Sequence, residues 1–192
     1  MRKQQPNLRR RTFFTPLLMP ILGSIAALAF VAWVYSSIST TTVVLVRHAE
    51  KVIQAGDDPG LTPEGVLRAK ALATMFSTAG VDALFASQFR RTKETLSPLS
   101  AATGKDIEQV DARDPVLLVD KIFSLHRGQL VIVAGHSNTI PELIQLLANI
   151  ETPAIDESDY GSIYILTLPR FGEARLLQIG YPELASPRVG LP

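Results

Sequence analysis

"TTVVLVRHAEK", residues Thr41 to Lys51, decides how the rest of the chain is read. From Thr42 to Val46 it is β-branched and apolar on both faces, the pattern of a strand buried within a parallel sheet. A strand that simply ends needs a turn residue such as Gly, Asn, Asp or Pro. This one runs into Arg47 and His48, with Glu50 and Lys51 directly behind. A guanidinium and an imidazole at a strand end suit a place where an anion is held and attacked.

Before this strand the sequence changes character. Arg2, Lys3, Arg9, Arg10 and Arg11 put five cations ahead of residue 12, and no acid precedes Glu50. Residues 1–16 therefore read as a basic segment. Residues 17–35, "LLMPILGSIAALAFVAWVY", carry no charge. As a helix this run of about 19 residues would be about 28 Å long, close to the thickness of a bilayer core. Trp33 and Tyr35 sit at one end, where amphipathic aromatics favour the interface. A cleaved signal would have a shorter apolar run and a small-residue cleavage site, and a core helix would show a polar face. The expectation is one uncleaved transmembrane anchor with its N-terminus in the cytoplasm and the remainder across the membrane, periplasmic in a Gram-negative cell. Residues 36–41 read as a polar linker and 42–192 as one domain.

Charge and composition narrow the partners of that domain. Setting aside the five N-terminal cations from 19 Lys and Arg leaves 14 against 18 acids, a net −4. A mildly acidic domain is a poor binder of nucleic-acid phosphates, so no nucleic-acid partner is expected. There is no cysteine, which excludes disulfides and thiolate metal sites and leaves the redox compartment open.

Downstream, helical and strand patterns alternate. Thr62 as N-cap, Pro63 at the first helical position and Glu64 behind it start a helix that closes at Gly80. "VDALFAS" (81–87) is a strand, and "RRTKETLSPLSAAT" (90–103) a helix with a bend expected near Pro98. "IEQV" (107–110) is a short strand. Asp114 and Pro115 open a further helix that Gly128 ends. "QLVIVAG" (129–135) is a buried strand, "TIPELIQLLANI" (139–150) a helix, and "SIYILTL" and "ARLLQIG" close the chain around "PRFGE". This order predicts an α/β three-layer sandwich with a mostly parallel central sheet and an antiparallel edge.

Open α/β sheets bind ligands beyond the carboxyl ends of their strands. Three such ends carry unusual residues: Arg47-His48, Ser87 leading into Arg90-Arg91, and His136-Ser137-Asn138. Two of the chain's three histidines thus fall at strand ends. His126 sits instead at a helix C-terminus, where partial positive charge suits the dipole, and reads as structural. Arg90 reads as an exposed neighbour of Arg91, because one helical turn cannot aim both at one phosphate.

With these residues in place the sequence resembles the histidine phosphatase, or phosphoglycerate mutase-like, superfamily, and its small bacterial phosphatases in particular. "LVRHAEK" is similar to the family's Arg-His-Gly signature, with Ala49 in place of Gly. "LTPEG" resembles the Leu-Thr-x-x-Gly helix start, "SQFRRTKET" the Ser-x-x-x-Arg-x-x-x-Thr segment, and "VAGHSNT" the strand of the second histidine. The resemblance implies the phosphoglycerate mutase-like fold and a phosphoric monoester hydrolase of histidine acid type. It implies His48 as the nucleophile that becomes a phosphohistidine, with Arg47, Arg91 and a protonated His136 holding the phosphoryl oxygens.

Such chemistry is positioning plus fixed positive charge and calls for no metal or cofactor. Arg47 and Arg91 can each offer a forked pair to the phosphoryl group. Ser87, Glu50 and Asn138 are further candidates to line the substrate, Glu50 equally able to solvate its loop. The leaving group needs a proton. Asp111, directly after the short third strand, is the candidate, with Asp114 reading better as an N-cap. The substrate class stays open among phosphorylated small molecules, glycans, lipids and proteins. A phosphohistidine (protein) phosphatase, a phosphoglycerate mutase and a non-enzymatic phosphate-binding domain are the alternatives.

Overall fold

Strand β1 (Thr40–Arg47), the stretch quoted above, lies inside a six-stranded sheet. In a computed structural model the chain is described over residues 15–37, 39–53 and 56–181. After α1 (Thr15–Ser37) and β1 come α2 (Pro63–Phe76), β2 (Ala83–Ala86), α3 (Arg90–Thr103) and β3 (Ile107–Gln109). These are followed by α4 (Pro115–Leu125), β4 (Leu130–Gly135), α5 (Thr139–Ala148), β5 (Ser162–Pro169) and β6 (Arg175–Gly180). The described residues divide into two compact units, one ending before Ser39 and the other from Ser39 onward.

The strand order is β3-β2-β4-β1-β5-β6. The β1–β4, β4–β2 and β2–β3 pairs are parallel, whereas β1–β5 and β5–β6 are antiparallel. The sheet is therefore mixed: its four neighbouring strands β3, β2, β4 and β1 are parallel, and β5 and β6 form the antiparallel edge. The reason lies after α5. Asn149, at φ 56°, ends that helix, and residues 149–161 carry the chain back to the carboxyl end of β1. Strand β5 starts there, with Ile163 opposite Val46, and runs down to Pro169 opposite Thr40. Hydropathy cannot separate that return from another crossover, because a buried antiparallel strand is as apolar as a parallel one.

Alternation along β1 builds both cores. Val43 and Leu45 pack with Ile122, Ile140 and Ile144 on the α4/α5 face. Val44 and Val46 pack with Leu72, Leu96 and Leu99 on the α2/α3 face. Helices α2 and α4 start where capping chemistry places them: Thr62 accepts from the N–H of Gly65 at 3.1 Å, and Asp114 from that of Leu117 at 3.0 Å. Gly65 is needed for room as well, because a Cβ there would stand 2.4 Å from the Glu50 carbonyl oxygen.

The expected membrane span is not found. Among the described residues no helix is long and apolar enough to cross a membrane. The basic residues Arg2 to Arg11 lie outside the described residues.

Candidate active site

The parallel ladder delivers two imidazoles side by side. Arg47 pairs with Gly135, and the His48 N–H donates to the Gly135 carbonyl at 3.0 Å. His48 thus leaves β1 at the level where His136 leaves β4, and their rings meet edge to face at 5.3 Å. Both are buried, at 3% and 7% exposure. The His48 Nδ1–H donates to the Ala49 carbonyl at 2.8 Å, so the Nε2 lone pair is free. Burial is the main influence that lowers the His48 pKa to about 4; the Ala49 bond opposes it, and Arg91 and Arg47 add to it. His48 is therefore neutral near pH 7, the form a nucleophile needs.

Ala49 is completely buried, and its N–H donates to Thr95 Oγ1 at 2.9 Å. The Thr of "SQFRRTKET" thus pins the residue after the first histidine. The Ser of that segment serves the second histidine: Ser87 Oγ lies 2.9 Å from His136 Nε2 and 2.8 Å from Thr92 Oγ1. Thr92 donates to the Phe89 carbonyl at 2.8 Å, so Ser87 donates to Thr92 and accepts from the His136 Nε2–H. His136 Nδ1 then faces Arg91, whose NH2 lies at 3.4 Å. Burial foremost, and then the charge of Arg91, lowers the His136 pKa to about 3. In the free protein burial keeps His136 neutral, and Ser87 fixes its tautomer.

The two arginines differ. Arg91 lines the crevice, its guanidinium 4.3 Å from the Phe89 ring centroid and 3.9 Å from Asp58. Arg47 is 3% exposed and gripped by the loop before β5. It donates to the Asp156 and Asp159 carbonyls at 2.9 and 3.1 Å and to Glu157 Oε2 at 2.8 Å, and lies 4.1 Å from the Tyr160 ring centroid. Among the described side chains, the Nε–H groups of both Arg47 and Arg91 are buried without an acceptor. Arg91 and the paired imidazoles line one crevice, a place for an anion, whereas Arg47 is not among the residues that line it.

The crevice, with a volume of about 310 Å³, is lined by His48, His136 and Arg91, by Lys51, Phe89, Ser137 and Asn138, and by Arg113 and Glu157, which the sequence reading had not singled out. Glu157 donates nothing; it accepts from Arg47 and from the Ser137 hydroxyl. Two expected residues stand elsewhere. The Glu50 carboxylate takes Arg68 Nε at 2.9 and 3.0 Å, away from the crevice. Asp111 is fixed by Arg113 at 2.9–3.2 Å and lines a smaller apolar cavity behind Ser87 and His136. Arg90 points outward onto Glu94, and His126 bonds Gln129 at 2.7 Å over Phe85. Among the described residues no cluster of three or more His, Asp or Glu side chains is placed to hold a metal ion.

Residues 43–114 match the model of the histidine phosphatase superfamily (branch 1). No curated protein matches the chain. Among solved structures it is similar to the protein histidine phosphatase SixA complexed with tungstate, at 20% identity and TM-score 0.59, over 72% of this chain and 96% of that one. A mycobacterial glucosyl-3-phosphoglycerate phosphatase aligns at 14% identity and TM-score 0.58, over 71% of this chain and 97% of that one. A candidate alpha-ribazole-5'-P phosphatase from Escherichia coli aligns at 15% identity and TM-score 0.57, over 73% and 96%. At these identities the likeness is one of fold.

Proposed function

We infer that this chain, which resembles the histidine phosphatase superfamily (branch 1) in its motifs and in its fold, is a phosphomonoester hydrolase that works through a phosphohistidine on His48. The observation that carries this reading is the bond from His48 Nδ1–H to the Ala49 carbonyl. It leaves a neutral Nε2 lone pair in a crevice that also holds Arg91.

In this reading the His48 Nε2 lone pair attacks phosphorus. The Nε–H of Arg91 and the Nε–H of Arg47 receive the equatorial oxygens, which carry the charge of the transition state. A phosphoryl oxygen takes the place of His136 Nδ1 as the partner of Arg91. His136 keeps its Nε2–H on Ser87, so a second proton taken up at Nδ1 points at the phosphoryl group and opposes its negative charge. Asn138 lines the leaving-group side. Water then cleaves the phosphohistidine. A nucleophile neutral down to about pH 4 supports turnover in mildly acidic medium, as an acid-type phosphatase requires.

The crevice is open at about 310 Å³, which favours a second reading within the same chemistry, a phosphohistidine phosphatase acting on a protein surface. Phosphoglycerate mutase-type transfer is less favoured, since Ala49 replaces the signature glycine. Attachment to a membrane through residues 17–35 is proposed on the sequence alone, from the uncharged run and the cations before it; a reporter fused after Pro192 that works only in the cytoplasm overturns it. The central test incubates full-length protein with ³²P-labelled aryl phosphate and quenches it in alkali. Acid-labile label on His48, absent from His48→Ala, is the expected result; label on His136 or on no residue overturns the reading.

A further inference from the structure

A leaving alkoxide must be protonated as its bond to phosphorus breaks, and the group that gives the proton must reach the crevice. Asp111 is turned onto Arg113 and does not line it. Among the described residues one carboxylate does, that of Glu157. It stands on the loop that the antiparallel β5 brings back over the end of β1, with one oxygen on Arg47 NH2 at 2.8 Å and the other on the hydroxyl of Ser137, the neighbour of His136. Its side chain is 78% exposed, so it can leave Arg47 without unfolding anything.

We propose that Glu157 is the proton-transfer residue of this site: the acid that protonates the leaving oxygen and the base that takes the proton from the attacking water. The assignment rests on the phosphohistidine reading above. In the first step His48 Nε2 forms the N–P bond, the P–O bond breaks, and the departing oxygen takes the bonding pair and the Glu157 proton. In the second, water oxygen attacks phosphorus and its proton passes to the Glu157 carboxylate. The N–P pair then returns to His48 Nε2. Ester and water become alcohol and phosphate, and Glu157 ends as it began.

In the empty site the Ser137 hydrogen bond foremost, with the charge of Arg47 behind it, holds the Glu157 pKa below its ordinary value. A phosphoryl dianion on the Arg47 Nε–H offsets the arginine charge that Glu157 feels through NH2 and adds a negative charge beside the carboxylate. Both changes raise its proton affinity once substrate is bound. The Glu157–Arg47 contact of the free site thus links phosphoryl arrival to readiness of the acid.

The experiment compares full-length wild type and Glu157→Gln on p-nitrophenyl phosphate, whose leaving group needs no proton, and on propyl phosphate, whose leaving group does. General acid catalysis commonly contributes 10²–10⁴-fold. The expected result is a fall of about 10²-fold or more in the propyl to p-nitrophenyl ratio of kcat/KM, with Glu157→Asp restoring part of it. With p-nitrophenyl phosphate the variant should also accumulate phosphohistidine, because the water-attack step has lost its base. An equal loss on both esters would make Glu157 a mere support for Arg47, and no loss would make it a bystander; either overturns the assignment. A wild type active on the aryl ester alone lacks a working proton donor, which sinks Glu157 and leaves the phosphohistidine standing. A wild type inert on both takes down both readings.

Discussion

His48 and His136 stand 5.3 Å apart as rings, yet their partners separate their roles. His48 gives its Nδ1–H to its own neighbour's carbonyl and keeps a lone pair outward; His136 gives its Nε2–H to Ser87. His48→Ala is expected to abolish turnover, while His126→Ala, at a helix end, leaves it nearly intact, measured on an aryl phosphate. Ser87→Ala removes the acceptor that fixes the His136 tautomer. A buried donor left unpaired costs about 1–3 kcal/mol; a fall in kcat of about 5- to 150-fold is expected, with a circular dichroism spectrum like wild type. The pH profile follows from the lowered His48 pKa of about 4. Between pH 7 and 5, kcat/KM for a substrate of constant ionisation should show no loss centred at 6.5, the ordinary imidazole value; such a loss in an initial-rate titration would mean His48 is not shielded as described.

At the scale of elements, the start of α2 and the loop before β5 carry the site. The Gly65 backbone sits against Glu50, two residues past His48, with space for no Cβ. Gly65→Ala should force these segments apart and cost about 1–3 kcal/mol, the range for overpacking, read from urea unfolding at constant m. The loop 149–161 holds Arg47 by two carbonyls, one carboxylate and the Tyr160 ring. Arg47 therefore ties that loop to the sheet, and its buried Nε–H has no acceptor. Arg47→Ala should lower both stability and activity, whereas Arg91→Ala, with its contacts inside the crevice, should lower activity by about 2.7–4 kcal/mol with a smaller effect on melting. Equal melting losses for the two variants would contradict this division.

For the whole molecule the two buried imidazoles make stability depend on pH. Both pKa values are lowered on folding, from 6.5 to about 4 for His48 and to about 3 for His136. Between those values and 6.5 the unfolded chain binds more protons than the native one, so stability rises with pH across this window. It is fully present above pH 6.5 and is lost as pH falls toward 3. The melting temperature should drop from pH 7 to pH 4.5, and the drop should shrink in a His48→Asn/His136→Asn double variant, checked by calorimetry. Inorganic phosphate bound between Arg47 and Arg91 should raise the melting temperature, because a ligand that binds only the native state stabilises it.

Four short motifs in order were enough to locate the strand ends and to nominate His48, Arg47, Arg91 and His136, because the alternation of strands and helices forces those ends to one edge of a sheet. The strand residues and the capping residues Thr62 and Asp114 were legible for the same local reason: period and cap chemistry act within a few residues. What the sequence could not reveal depends on where the chain goes between elements. The antiparallel return of β5 sets Glu157 and Tyr160 on Arg47 across more than a hundred residues of chain, and no local pattern records that meeting. Glu50 and Asp111 misled for the converse reason. Each is close in sequence to a strand end, but the half-buried Glu50 carboxylate is taken by Arg68 and the exposed Asp111 carboxylate by Arg113. The protonation of His136 was decided at the same level, by the burial that only packed walls provide.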